Sequence, residues 1–407
     1  MLVLHVNKVY KNFKAEIPNL KRSERNAKLN QNTILLVGMV ESPHFQKWLN
    51  ALKQELPNKK ILVFPSDRPR FNRKKLNVLK KENKSTRIFQ LLPNGQLNFI
   101  AYYFLDTVIG VRWRAYFLAR LIIANKPAIN HFHEMQHGAY IFNLIANYRK
   151  IPSNSRNIIS TWGSDLTLYS WVDGHQAHIR SCLNWVDVLT AEKEVEIEDA
   201  KRFGFKGEFR APIYITIGQK HLSNLAELKT SSRKLILVKG HQSDTGLALN
   251  VLSVISKMEN VLKNFEIIVY SAPESVQLQV DLLRNKNKIN IKTLKRVSHN
   301  EMLDLFAQAR ISISLAVSDG LPGALVEAMQ AGAFPIQSEN SAAGKFIDHG
   351  INGFVVNPWN LELIQELLQK AITEDDLVDR ANELNKEVLK QKYSYRDGLS
   401  RLRSLYL

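Results

Sequence analysis

Two acids with seven residues between them, Asp319 and Glu327, frame the most chemically suggestive stretch of the chain, ISISLAVSDGLPGALVEAMQAGAFPIQS. The apolar run ISISLAV reads as a buried strand ending at Ser318, and Asp319, Gly320 and Leu321 make a tight turn after it. Pro322 stands where a first helical residue is favoured, the helix runs to about Gln330, and Gly332 serves as its stop. A strand that hands over to a helix in this way aims the unpaired N–H groups of the first turn, with the positive end of the helix dipole, at the strand edge. An anion can sit there. Gly320 and Gly323 let the backbone come close to it, and a diphosphate is the natural guest. Asp319 and Glu327 bracket the helix start, so they are spaced to touch polar groups at opposite ends of an elongated ligand, not to clasp one metal.

The elements that must position this junction follow from the rhythm of the rest. With 407 residues the chain is long enough for two sizeable α/β units. From Thr33 the text reads strand, helix, strand (TILLVGMV, SPHFQKWLNALKQEL, KKILVFPSD), and the alternation continues through a helix from Ala115 to Asn125, the strand AINHFH, a helical GAYIFNLIANYRK, and the strand NIIS. WVDVLTAE and GEFRAPI supply the last strands of this half. A polar, unpatterned stretch near His221 to Arg233 reads as a linker, after which strands and helices alternate again up to GFVVNP. Such alternation implies mostly parallel sheets covered on both faces, with ligands outside the carboxyl ends of the strands. The expected organisation is an N-terminal domain over 1–220, of which 1–32 is an extension without pattern, a linker over 221–233, a C-terminal domain over 234–390, and a helix over 391–407 that returns to the first domain.

DGLPGALVEAMQAG, followed by PIQS and DHGINGFVVNP, resembles the C-terminal signature of the retaining GT-B glycosyltransferases of group 1, family 4 type: Glu, seven residues, Glu, then Ala-Met-Ala-x-Gly. The resemblance implies an α/β fold of the GT-B kind, with two Rossmann-like doubly wound domains facing a central cleft. It implies that Asp319 contacts the transferred sugar, that Glu327 binds the ribose hydroxyls, and that the amides from Leu321 through Pro322 and Gly323 to Ala324 flank sugar and phosphate. Asp319 departs from the family's Glu by one methylene. The loop LVKGHQSDTGLAL resembles the family's phosphate loop with an incomplete basic pair; Lys239 and Gly240 carry it, and Lys295 or Arg296 supplies the missing cation. In the first half, NHFHEMQHGAY resembles the family's His-x-His strand end, and STWGSDLTLY its His-Gly-x-Asp loop, with Trp162 in place of His. On that match His131 and His133 lie near acceptor or sugar, Gly163 and Asp165 shape the loop beneath, and Ser42, Pro43 and His44 form the glycine-loop equivalent.

The expected activity is transfer of a sugar from a UDP- or GDP-linked donor to a glycan or lipid-linked acceptor in cell-envelope polysaccharide synthesis, with retention at the anomeric carbon. No cofactor and no metal are expected. HFHEMQH has raw metal ligands but lacks the helical i, i+4 arrangement of a His-Glu-x-x-His site, and the family is metal-independent. An epimerase of the same architecture is one alternative, a basic nucleic-acid-binding protein another. The latter lacks an RNA-binding signature, so no nucleic-acid partner is expected.

The net charge of +18 calls for a polyanionic partner. Basic residues are densest from Arg68 to Arg87, and an aromatic, arginine-bearing stretch follows to Arg120, the composition of an interfacial patch on an anionic membrane. A single cysteine, Cys182, excludes an intrachain disulfide, and the opening residues carry too short an apolar run for a signal peptide. The expected location is the cytoplasm, peripheral at the inner face of the plasma membrane.

Overall fold

The computed structural model describes residues 28–66, 86–88, 104–148, 150–210, 212–214, 228–294 and 297–407. The basic run 68–85, residues 221–227 of the expected linker, and both Lys295 and Arg296 lie outside the described residues, as does the extension up to residue 27. The chain divides into two compact units, Met1–Ile217 with Gly398–Leu407, and Gly218–Asp397.

Among the described residues the first unit is built on seven strands, β1 (Asn30–Gly38), β2 (Lys60–Pro65), β3 (Thr86–Ile88), β4 (Pro127–His133), β5 (Arg156–Ser160), β6 (Val188–Thr190) and β7 (Glu208–Arg210). They pair in parallel in the order β3-β2-β1-β4-β5-β6-β7. The central strands are near-continuous apolar runs because helices cover both faces. These are α1 (Pro43–Glu55), α2 (Arg112–Asn125), α3 (Tyr140–Asn143), α4 (His175–Trp185) and α5 (Val195–Arg202). Helix α1 starts on a proline, whose missing N–H costs nothing there, and buries Phe45, Trp48, Leu49 and Leu52 at helical spacing. Burying each such large side chain contributes roughly 1.5–3 kcal/mol.

One expected helix differs. The segment after β4 opens as a π-helical turn, Glu134–Ala139, before the short α3. Glu134 has φ +68°, and a Cβ on Gly138 would lie 2.9 Å from the His133 carbonyl oxygen. The wide turn brings backbone tight against the end of β4, which a regular helix would not do.

The second unit has, among the described residues, six parallel strands, β8 (Leu235–Lys239), β9 (Glu266–Tyr270), β10 (Ile291–Thr293), β11 (Ala309–Ser314), β12 (Phe334–Ser338) and β13 (Phe354–Val356), in the order β10-β9-β8-β11-β12-β13. Its helices are α6 (Ala248–Ile255), α7 (Glu259–Leu262), α8 (Glu274–Lys286), α9 (His299–Gln308), α10 (Gly323–Gln330), α11 (Leu361–Thr373) and α12 (Asp375–Lys392). The last helix, α13 (Tyr395–Tyr406), enters the first unit at Gly398. Each unit has its own apolar core.

The polar stretch before β8 is anchored to this unit. Thr230 Oγ1 donates to the Gly332 carbonyl, Ser231 bonds both carboxylate oxygens of Asp379, and the Arg233 guanidinium donates to the carbonyls of Ala309 and Ala331. Polar residues serve here because strand and helix ends leave carbonyls that need donors.

Candidate active site

Both sheets reverse their winding at one place, and there the loops from neighbouring strands diverge. In the second unit this point falls between β8 and β11. Lys239 is the last residue of β8, and its Nζ lies 3.7 Å from Asp319 Oδ2, in the turn that follows β11. Both side chains are partly exposed, so a ligand can reach them. The sequence separates these two charges by eighty positions, and parallel pairing of β8 with β11 brings them together.

The turn is held from below. Asp319 Oδ1 accepts the Gly320 N–H at 2.9 Å, Asp319 N–H donates to the Asn340 carbonyl, and the Gly320 carbonyl accepts from Ala342. Helix α10 then starts at Gly323, with Pro322 just ahead of it in extended conformation. The first bonds to the Pro322 carbonyl come from Leu325 and Val326. Gly323 and Ala324 stand earlier in the turn, where a helix offers no carbonyl to its N–H groups. Gly332 ends the helix region at φ +80°, and a Cβ there would strike the Asn382 side chain at 2.5 Å.

The loop after β8 folds back onto β11. Val317 N–H donates to Thr245, Leu247 N–H to Leu315, and Gly240 N–H to the Tyr270 carbonyl at 2.7 Å. A Cβ on Gly240 would sit 2.8 Å from that same carbonyl oxygen, and one on Gly246 only 2.3 Å from the His241 carbonyl oxygen. Glycine is required at both by close approach. His241 bonds Ser243, and burial with the charge of Lys239 holds its ring below the usual histidine range, hence neutral near pH 7.

Glu327 lies one turn into α10, mostly buried, with Oε1 2.8 Å from His299 Nε2. Sequence reasoning missed His299. Its only local signal is the capping box that opens α9, and its distance from Glu327 along the chain hides the contact. It also missed Tyr270, whose phenol is pushed upward by burial and by the charge of Glu327.

The first unit's winding reverses between β1 and β4. His131 and His133 both end up here, fully buried, with rings 4.2 Å apart. His131 is engaged at both nitrogens: Nδ1 with the Tyr406 hydroxyl, Nε2 with Ser160 Oγ at 2.7 Å. Since Trp48 Nε1 donates to Tyr406 Oη at 3.0 Å, a consistent assignment has the tyrosine donate to Nδ1 and His131 carry its proton on Nε2. Burial and then His133 hold its pKa well down. His131 thus positions α13 against β4 and has no exposed surface for a ligand.

His133 differs. It is ringed by Phe45, Trp48 and Trp162, burial lowers its pKa to about 3, and neither ring nitrogen has a partner among the described residues.

Asp165 acts as a clamp: its carboxylate accepts the Met135 N–H at 2.5 Å and the Trp162 N–H at 2.6 Å, joining the loops after β4 and β5. Burial and the neighbouring Glu134 charge raise its pKa. Gly163, at φ +95°, makes the turn between those contacts. Ser42 precedes α1, and the His44 ring approaches Trp162 at 6.2 Å. Among the described residues no group of three or more His, Cys, Asp or Glu side chains is arranged for a metal ion.

Two doubly wound units, each with its loops gathered at a reversal of strand order, define the GT-B fold. Solved structures share it across nearly the whole chain. Anabaena HepE in complex with UDP and glucose is 12% identical, with 92% of this chain and 98% of that one covered at a TM-score of 0.67. A variant of S. aureus TarM, in complex with fondaparinux, alpha-GlcNAc-glycerol and UDP, is 10% identical, with 92% and 99% covered at 0.68. Sucrose-phosphate synthase from Thermosynechococcus elongatus is 11% identical, with 92% and 98% covered at 0.71. At these identities the likeness is one of fold. No curated protein matches the sequence. Residues 227–388, which hold Lys239, His299, Asp319 and Glu327, match the family model described as Glycosyl transferases group 1. The second unit is thus similar to the group 1 glycosyl transferases over those residues.

Proposed function

We propose that the chain is a glycosyltransferase that retains configuration at the anomeric carbon and takes a UDP- or GDP-linked sugar in the second unit, with the acceptor carried by the first. The observation that supports this most is the Lys239–Asp319 pair at the start of α10. Cation and helix amides suit the diphosphate, whose negative charge grows as the glycosidic bond loosens, while Asp319 suits the hydroxyls of the sugar. Glu327, farther along the same helix, suits the ribose. The donor needs no metal in this reading, because Lys239 and the amides of Gly323 and Ala324 offset the diphosphate charge. Front-face attack, with the leaving phosphate taking the acceptor's proton, accords with a site in which Asp319 faces a cation rather than standing free as a nucleophile.

The acceptor is a glycan or a lipid-linked glycan of the cell envelope, met at an anionic membrane surface. Support comes from the face leading into and along α2. Phe104, Val108, Ile109 and Tyr116 are 60%, 63%, 47% and 56% exposed, beside exposed Arg112 and Arg120. The one acid between residues 104 and 126, Asp106, is buried against Arg114. No helix among the described residues is long and apolar enough to cross a membrane.

Screening UDP-, GDP- and ADP-sugars by thermal shift tests the reading, since a ligand bound to the folded state raises its melting temperature. One base should stand out. Asp319→Asn should keep most of the stabilisation by the free nucleoside diphosphate and lose about a hundredfold or more in transfer. Unchanged melting with every nucleotide sugar would sink the proposal.

A further inference from the structure

Glu327 is gripped at one of its two oxygens. Oε1 receives the Nε2–H of His299 at 2.8 Å; the glutamate side chain is 13% exposed and the histidine 55%. The histidine comes from a fixed platform. It is the first residue of α9, where Ser298 Oγ accepts the Glu301 N–H and the Glu301 carboxylate accepts the Ser298 N–H at 2.7 Å. That reciprocal cap locks the backbone from which the imidazole projects, so little freedom remains to be lost when it holds a carboxylate. Glu327 Oε2 makes no hydrogen bond to another described residue. From the sheet side, the Tyr270 hydroxyl at the end of β9 is buried, has no partner among the described residues, and lies close enough to feel the Glu327 charge. An aligned carboxylate oxygen beside an unused buried hydroxyl is an arrangement made for a polar ligand.

We infer that His299 is a positioning residue that turns Glu327 so that Oε2 accepts from the ribose hydroxyls of the donor nucleotide. The inference rests on the reading that Glu327 binds ribose. With Oε1 occupied by the imidazole N–H, Oε2 keeps its lone pairs for the sugar and its direction is set before the ligand arrives. Preorganisation of this kind strengthens binding without adding a contact to the ligand. Beside a carboxylate oxygen the imidazole tautomer with its proton on Nε2 is the one that donates.

The test compares binding of UDP with 2′-deoxy-UDP, and of GDP with 2′-deoxy-GDP, to the full chain and to three variants by calorimetry. The unaltered protein should prefer the ribonucleotide of one base. His299→Phe should weaken that ribonucleotide roughly three- to tenfold and leave its deoxy analogue nearly unchanged, so the preference shrinks. His299→Gln, which restores a side-chain N–H, should recover most of it. Glu327→Ala should abolish it. A general loosening of the fold would weaken ribo and deoxy forms alike, which separates positioning from structural support. If His299→Phe keeps the full preference while Glu327→Ala loses it, the inference fails and the ribose reading stands. If Glu327→Ala keeps the preference, or neither base binds, the reading itself fails and takes the inference with it.

Discussion

At the scale of single residues, the side chains in the two halves do opposite work. Lys239, Asp319 and Glu327 keep partly open, charged groups at hand, whereas His131 and Asp165 spend their polar atoms on the protein itself. His133 lies between these cases, buried and neutral without a partner among the described residues. Its low pKa has a consequence for stability. The unfolded chain binds a proton at this histidine below about pH 6.5 and the folded chain does not until about pH 3, so its contribution is present above 6.5 and lost as pH falls toward 3. His133→Leu should remove that dependence. Between pH 7 and pH 4.5 the urea midpoint of the unaltered protein should fall relative to the variant by an amount equivalent to roughly 2 kcal/mol. Parallel curves for the two proteins would contradict it. Residue types in the second unit were legible because acids, glycines and a proline occur together in one short run. His299 and Tyr270 were not, since their contacts with Glu327 arise only when separate strand ends and a helix start converge.

At the scale of elements, the order of strands and helices could be read from period and turn residues, and the exceptions have physical causes. The π-helical turn after β4 is invisible to a helical period because its purpose is a close approach of Gly138 to the strand end. The stretch before β8 reads as a linker because it is polar, and its polar groups bond backbone carbonyls and a carboxylate of the second unit. The loop after β8 shows how little tolerance such contacts leave. Gly246→Ala would press a methyl group on the His241 carbonyl and part the loop from Leu315 and Val317. Lys239 lies at the base of that loop. The variant should lose about 1–3 kcal/mol of stability and bind nucleoside diphosphate about tenfold more weakly. Calorimetry and denaturant unfolding measure both, and wild-type affinity in a folded variant would show that the loop does not position the lysine.

At the scale of the whole molecule, net charge tells of a partner without naming it, and the exposed face along α2 narrows the choice. Apolar side chains with arginines and no exposed acid suit anionic lipid better than neutral lipid. Val108→Glu with Ile109→Glu should lower partition onto vesicles containing phosphatidylglycerol several-fold in a sedimentation assay, with little binding to phosphatidylcholine alone in either protein. Equal partition of variant and parent would remove the membrane role. Because the surface is not a buried core, these changes should leave melting nearly unaltered.

The seam at Tyr406 also orders events during synthesis. In the first unit Trp48 donates to, and His131 accepts from, a tyrosine that leaves the ribosome only after all of Gly218–Asp397 has been made. Domains generally fold as they emerge, but this one lacks the partner of Trp48 Nε1 and His131 Nδ1 until the second has been made. The half that appears earliest therefore receives its last helix only after the other half has been synthesised.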